Sequence, residues 1–185
     1  MPETYQHHAG CGCLAEADMP TGRRGFLKLA TLGAGVTLFG LPPVARAAGG
    51  TDALLLSCMD YRLVDDVVRY MDGRGLTNNY DHVILAGASL GALTDKFASW
   101  GKTFWDHLEV AIQLHHIKKV MVMDHRDCGA YKVILGKDLK DDPAAETAAH
   151  AEQLKVLAGM IKEKHADLEI ELLLMALDGS VEAVA

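Results

Sequence analysis

The chain has few cysteines, few aromatic residues and no surplus of basic residues. Its 185 residues include four cysteines, and aromatic residues make up 6% of the composition. So low a cysteine content excludes a small scaffold stapled by disulfides. The formal net charge of −7, without a cluster of basic residues, argues against a nucleic-acid partner. Half of the residues are hydrophobic and 23% are charged, which is typical of a globular domain.

The sequence also lacks an apolar run of the length that a permanent transmembrane helix needs. The best candidate, residues 29–41, is short and diluted by glycine. It follows a twin-arginine export motif, GRRGFLK, at residues 22–28, and it precedes a small-residue cleavage pattern, ARA, at residues 45–47. We therefore predict that residues 1–47 are a cleaved twin-arginine signal and that residues 48–185 form a single periplasmic or otherwise exported domain, with no stable membrane anchor.

Only two cysteines, Cys58 and Cys128, follow the predicted signal. In an oxidising compartment two cysteines are by default interpreted as a disulfide. Each of these stands near the end of a predicted strand with an acid or a histidine beside it, which favours a metal site instead. The twin-arginine export machinery carries folded proteins, so a metal loaded in the cytoplasm would protect both thiolates from oxidation.

Short apolar runs alternate with helix-like segments along residues 48–185. Nearly continuous apolar runs predict parallel strands buried on both faces, at Ala53–Ser57, Val83–Ala86, Lys119–Met123 and Leu168–Ala176. Apolar residues at helical spacing predict helices at Leu63–Met71, Phe104–His115 and Ala144–Lys164, the last of which follows an acidic start and a proline. The alternation predicts an α/β fold, with an open, mainly parallel sheet of about four core strands flanked by helices.

Residues that can carry chemistry follow the first and third predicted strands. Cys58, Asp60 and Arg62 follow the first, and His125 and Cys128 follow the third. Ligands of such sheets gather beyond the carboxyl ends of the strands, so we expect these side chains to meet at one edge. Two thiolates and one imidazole are a three-ligand zinc set that leaves a fourth position free for chemistry. The aspartate and arginine add a charge pair beside that position.

These motifs resemble those of the β-class carbonic anhydrases, and the resemblance covers roughly residues 54–135. The matching segments are CMDYR at residues 58–62, Ala86-Gly87 after the second predicted strand, and HRDCG at residues 125–129. One difference is that many members of the family have an arginine-asparagine pair where this chain has Ile84-Leu85. The tight HxxC turn should be eased by the glycine that follows it, Gly129.

The resemblance implies a role for each of five residues. Cys58, His125 and Cys128 would bind Zn²⁺. Asp60 would accept a hydrogen bond from the zinc-bound water, and Arg62 would hold Asp60 so that it does not become the fourth ligand. The implied reaction is the reversible hydration of CO2 to bicarbonate by zinc-bound hydroxide, in a homodimer or a higher homo-oligomer.

Three other functions stay open at this point. The first is a carbonyl sulfide or carbon disulfide hydrolase that uses the same zinc set. The second is a non-catalytic zinc-binding protein of the same fold. A serine hydrolase is the third, because Gly87 to Gly91 fit the GxSxG motif around Ser89, and Asp124 and His150 follow in the order of a triad. The simpler interpretation is that both glycines allow a close backbone approach while Ser89 caps the next helix.

Overall fold

The computed structural model describes residues 50–185, in which one sheet has five strands in the order β2-β1-β3-β4-β5. The predicted export signal lies outside the described residues. The strands are β1 (Ala53–Ser57), β2 (Tyr80–Ile84), β3 (Lys119–His125), β4 (Glu169–Met175) and β5 (Val181–Ala183). The first four strands run parallel, and β5 pairs antiparallel with β4. The prediction of an α/β fold with a mainly parallel sheet is confirmed, with β5 as an additional short edge strand.

Within residues 50–185, five α-helices connect and cover the strands. They are α1 (Val64–Gly73), α2 (Ala88–Leu93), α3 (Ala98–Val110, continued by a π-helical turn at Ala111–His115), α4 (Gly129–Leu135) and α5 (Pro143–Lys164). The start of α5 follows the sequence prediction: the side chain of Asp142 accepts a hydrogen bond from the backbone N–H of Ala145, and proline occupies the first turn. No helix within residues 50–185 is long and apolar enough to cross a membrane.

The two faces of the sheet carry separate apolar cores because side chains alternate along each strand. On one face, Leu54 and Leu56 of β1 pack with residues of α2, α3 and α5, among them Phe104 and Leu157. On the other face, Leu55 packs with β3, β4 and α1. All five residues of β1 are buried. Burial on both faces accounts for the continuous apolar run that predicts this strand.

The predicted second strand, Val83–Ala86, is placed too far along the chain. In the structure β2 spans Tyr80–Ile84 and forms one edge of the sheet. Only Val83 of this strand is buried, and Ile84 is 53% exposed. The apolar run begins near the end of this edge strand and continues past it. The first residues of the strand are polar and not buried, so their sequence does not indicate a buried strand. Strand β3 in turn continues two residues beyond its prediction, so that His125 is its last residue.

Candidate metal centre

Cys58, His125 and Cys128 come together at the carboxyl edge of the sheet. Strands β1 and β3 are adjacent and parallel, so Cys58, directly after β1, and His125, at the end of β3, lie at the same edge. The ligand atoms of the three residues all lie within 4.8 Å of one another, and the two Sγ atoms are 3.9 Å apart. Two sulfurs bound tetrahedrally at the usual Zn–S length would be separated by about 3.8 Å. This spacing fits one zinc ion.

The imidazole of His125 is oriented for metal binding. Its Nδ1 lies 2.8 Å from the backbone carbonyl oxygen of Arg126, to which the ring N–H donates. This bond leaves the lone pair on Nε2, and Nε2 is buried without a hydrogen-bond partner in the described residues. A buried nitrogen without a partner is costly unless something binds it. Zinc-bound histidines commonly donate a hydrogen bond from the other ring nitrogen to a backbone carbonyl oxygen.

The two thiols share a hydrogen bond that favours a thiolate at Cys58. The hydrogen bond from Cys128, with a further contribution from His125, lowers the pKa of Cys58 to about 4. The same pairing with Cys58, together with burial, raises the pKa of Cys128. The backbone N–H of Gly87 also points at Cys58 Sγ, at 3.3 Å. Because zinc binds thiolates rather than thiols, a metal at this site would be bound by the Cys58 thiolate and would displace the remaining proton of the pair.

Asp60 and Arg62 form the ion pair that the sequence predicts, next to the three ligands. Arg62 Nε donates to Asp60 Oδ1 at 3.0 Å, and Nη2 donates to Oδ2 at 2.8 Å. These hydrogen bonds lower the pKa of Asp60, which therefore carries a negative charge at neutral pH. Asp60 Oδ2 lies 3.8 Å from His125 Nε2. The carboxylate is thus close to the three candidate ligands while it is held by the guanidinium.

Asp127 is a further partner of Arg62 that the sequence analysis does not identify. Arg62 Nη1 donates to Asp127 Oδ2 at 2.8 Å, and Nη2 donates to its backbone oxygen at 2.9 Å. The backbone N–H of Asp127 in turn donates to Glu146 Oε1 at 2.6 Å. The signal available in the sequence is the position of Asp127 inside the HRDCG motif. Arg62 therefore bridges the loop after β1 and the loop after β3.

The sharp turn between His125 and Cys128 lies at Asp127. Asp127 has φ of 53°, in the left-handed region. The expected role of Gly129 in this turn is wrong, because Gly129 has no left-handed φ and begins α4, and a Cβ added to it would meet no atom within 4 Å. The hydrogen bond to Glu146 and the two bonds from Arg62 to Asp127 hold the strained turn.

An apolar cleft of about 440 Å³ opens beside the three ligands. Cys58 and Cys128 line it together with aromatic and aliphatic side chains, including Phe97, Trp100 and Ile134. The rings of Phe97 and Trp100 stack with their centroids 4.2 Å apart. A small apolar molecule can therefore reach the site through a surface that binds water weakly.

The GxSxG motif does not form a hydrolase nucleophile. Ser89 is fully buried, and its Oγ donates to Asp124 Oδ2 at 2.6 Å. His150 contacts the same aspartate and not the serine. In a Ser-His-Asp triad the histidine lies between the serine and the aspartate and contacts both. The prediction that Ser89 caps α2 is also wrong, since the residue lies inside the helix. The close backbone approach is confirmed, because a Cβ at Gly91 would lie 2.3 Å from the carbonyl oxygen of Ala86.

Comparisons by sequence connect residues 48–185 to one protein family. A family model described as "Putative carbonic anhydrase" matches this whole range. An uncharacterized protein of Rickettsia conorii is 45% identical over 131 residues, which cover 71% of this chain and 70% of that protein. An uncharacterized protein of Rickettsia bellii is 41% identical over 131 residues, covering 71% of this chain and 80% of the relative.

Solved structures share the fold at low sequence identity. A carbonic anhydrase from Glaciozyma antarctica superimposes with a TM-score of 0.50 at 18% identity, covering 86% of this chain and 95% of that one. One of two tetrameric β-carbonic anhydrases from Sordaria macrospora gives a TM-score of 0.50 at 13% identity, with coverages of 88% and 96%. At these identities the likeness shows the fold alone.

Proposed function

The chain belongs to this carbonic anhydrase family, and we propose that it binds one zinc ion and reversibly hydrates CO2 to bicarbonate. The zinc ligands would be Cys58, His125 and Cys128. The observation that carries the proposal is the convergence of their ligand atoms within 4.8 Å, next to the pair of Asp60 and Arg62. When bound, zinc would acidify a water molecule and supply a nucleophile for CO2 near neutral pH.

The charge of the ligand set makes the neighbouring residues important. Two thiolates would neutralise the charge of a zinc ion held here, so the ion would acidify water less strongly than one bound by neutral imidazoles. Asp60 accepts hydrogen bonds only, since its pKa is lowered by Arg62. A carboxylate in this position orients the proton of the reacting water away from the lone pair that attacks CO2.

Arg62 would decide whether Asp60 leaves the fourth zinc position free. Asp60 Oδ2 is only 3.8 Å from His125 Nε2, so a rotated carboxylate would reach the metal. The two-pronged contact from the guanidinium holds both carboxylate oxygens away from that position. The contacts to Asp127 fix the guanidinium from its other side.

Carbonyl sulfide or carbon disulfide hydrolysis is the second candidate, and the apolar cleft is as compatible with it as with CO2 hydration. Like CO2, these molecules are small and apolar, so the surface near Phe97 and Trp100 suits all three. Ile84-Leu85 stand in place of the arginine-asparagine pair of many carbonic anhydrases, and neither residue lines this cleft.

We also propose that the protein is exported by the twin-arginine machinery to the periplasm and forms homodimers or higher homo-oligomers. The support for export is the GRRGFLK motif and the cleavage pattern that follows it. The support for an oligomer is the exposure of apolar side chains around the cleft, including Met59 at 65% and Tyr61 at 86%. The two β-carbonic anhydrases of Sordaria macrospora are described as tetrameric.

The experiment that tests the function measures zinc per chain in the purified protein, together with CO2 hydration and carbonyl sulfide hydrolysis. We expect one zinc per chain and turnover of CO2. The His125→Ala variant should lose both, and His107→Ala is the matched control, since His107 is an exposed histidine of α3. Zinc with turnover of carbonyl sulfide alone would support the second candidate. Zinc without turnover would indicate a zinc-binding protein, and absence of zinc would refute the proposal.

A further inference from the structure

Asp124 is a buried residue next to a zinc ligand, and the proposed reaction does not use it. It precedes His125 on β3, and its side chain points to the opposite face of the sheet because side chains alternate along a strand. The residue is 1% exposed. A carboxyl group buried to this extent is costly unless donors surround it.

Four hydrogen bonds from three helices satisfy the carboxyl group of Asp124. Oδ1 accepts from the backbone N–H of Ser89 at 3.0 Å. Oδ2 accepts from Ser89 Oγ at 2.6 Å and from the Tyr131 hydroxyl at 2.5 Å, and it lies 3.0 Å from His150 Nδ1. These donors belong to α2, α4 and α5, so one carboxyl group joins β3 to each of these helices.

The bonds to Ser89 connect Asp124 to the first zinc ligand. The N–H of Ser89 lies in the first turn of α2, where backbone N–H groups have no acceptor within the helix. The N-cap residue is Gly87, which has no side chain that could accept a hydrogen bond from them. Asp124 supplies the missing acceptor and so fixes the start of α2. The N–H of Gly87, two residues earlier, points at Cys58 Sγ at 3.3 Å. The position of this donor to the sulfur therefore depends on the contact between Asp124 and Ser89.

The bond to Tyr131 connects Asp124 to the third zinc ligand. Cys128 is the N-cap of α4, and Tyr131 lies in the first turn of the same helix, where it is 3% exposed. The Tyr131 hydroxyl anchors this turn to β3. The second ligand, His125, is the next residue of the strand. The carboxyl group of Asp124 is thus linked to Cys58 through Ser89 and Gly87, to Cys128 through Tyr131, and to His125 as its neighbour on β3.

We propose that Asp124 is a positioning residue that holds Cys58, His125 and Cys128 at the spacing that zinc requires. The inference rests on the zinc site of the proposed function and is independent of the substrate. In this arrangement the GxSxG motif has a structural role, because Ser89 donates hydrogen bonds to Asp124 and does not act as a nucleophile. His150 closes the network from α5, and its ring packs against that of Tyr131 with centroids 3.9 Å apart.

The test compares zinc affinity in wild-type protein and in the Asp124→Asn variant, by competition with a chromophoric chelator. Asparagine has the same shape, but its NH2 group cannot accept the hydrogen bonds that Oδ2 receives. We expect zinc to bind about 10-fold more weakly, the lower end of the loss known for groups that hydrogen-bond a metal ligand directly, because Asp124 acts on the ligands through Ser89 and Tyr131. The absorption bands of the Co²⁺-substituted variant should also shift, since they report the geometry of the ligands.

Two further sets of variants keep the proposal falsifiable. Leu157 lies on α5 about two turns after His150 and does not contact Asp124 by a hydrogen bond. Leu157→Ala leaves a cavity in the core and should destabilise the fold while zinc affinity and the Co²⁺ spectrum stay as in wild type. If Asp124→Asn does not fold, Ser89→Ala and Tyr131→Phe each remove one donor and should weaken zinc binding in the same direction by a smaller factor.

The outcomes separate this proposal from the function on which it rests. Wild-type zinc affinity in Asp124→Asn, or in both single-donor variants, would overturn the positioning role and leave the zinc site intact. An equal loss of affinity in Leu157→Ala would also overturn it, because general destabilisation would then explain the effect. Absence of zinc binding by the wild-type protein would overturn the metal site and the positioning role together.

Discussion

Replacing Arg62 by alanine should separate zinc binding from turnover. Arg62 donates two side-chain hydrogen bonds to Asp60, at 2.8 and 3.0 Å. A hydrogen bond to a charged group contributes about 1.5–3 kcal/mol. Because the arginine side chain is 32% exposed, we discount the pair of bonds to about 2 kcal/mol in total. A loss of that size changes a conformational equilibrium about 30-fold.

Without the guanidinium, the side chain of Asp60 keeps the hydrogen bond from the backbone N–H of residue 62 to Oδ1, while Oδ2, 3.8 Å from His125 Nε2, can rotate toward the metal. We therefore expect Arg62→Ala to keep one zinc per chain and to hydrate CO2 about 30-fold more slowly in a stopped-flow assay with a pH indicator. Arg69→Ala is the matched control, because Arg69 is 67% exposed and pairs with Asp66 on α1. Wild-type turnover by Arg62→Ala at equal zinc content would refute the gating role of Asp60.

Three further predictions follow from single contacts. Asp127→Asn removes a charged partner of Arg62 but leaves the contact between Arg62 and Asp60, so the rate of CO2 hydration should fall only about fivefold. A rate loss as large as that of Arg62→Ala would contradict the prediction that the contact with Asp60 matters more. A serine-directed phosphonate should leave Ser89 unlabelled by mass spectrometry because the side chain is fully buried, and labelling would revive the hydrolase. Asp142→Ala removes the cap of α5 and should lower the free energy of unfolding in urea by about 1 kcal/mol, whereas unchanged stability would show that the cap contributes nothing.

The convergence of the three candidate zinc ligands could be predicted because parallel strands all end at the same edge of the sheet. Strands that are buried on both faces have nearly continuous apolar sequences, as β1 and β3 do. Their carboxyl ends lie at one edge of the sheet, so Cys58 and His125 are expected at that edge, and the structure makes them neighbours because β1 and β3 are adjacent. The boundaries of β2 could not be predicted in the same way, because edge strands are half exposed.

The contacts around the ligands depend on packing that leaves no local pattern in the sequence. Helices α2 and α4 have six and seven residues, which is too short for a clear helical period. Ser89, Tyr131 and His150 are far apart along the chain, and only the packing of three helices brings them to Asp124. The partnership of Arg62 with Asp127 joins two loops and is likewise a tertiary contact.

X-ray absorption at the zinc edge of the purified protein tests the proposed metal centre most directly. Ligation by Cys58, His125 and Cys128 predicts two sulfurs at about 2.3 Å and one imidazole nitrogen at about 2.0–2.1 Å, with one further light atom completing four-coordination. The Cys128→Ser variant should lose one of the two sulfurs or the zinc itself. A spectrum with four sulfurs, with no sulfur, or with no zinc edge at all would contradict the proposed ligand set.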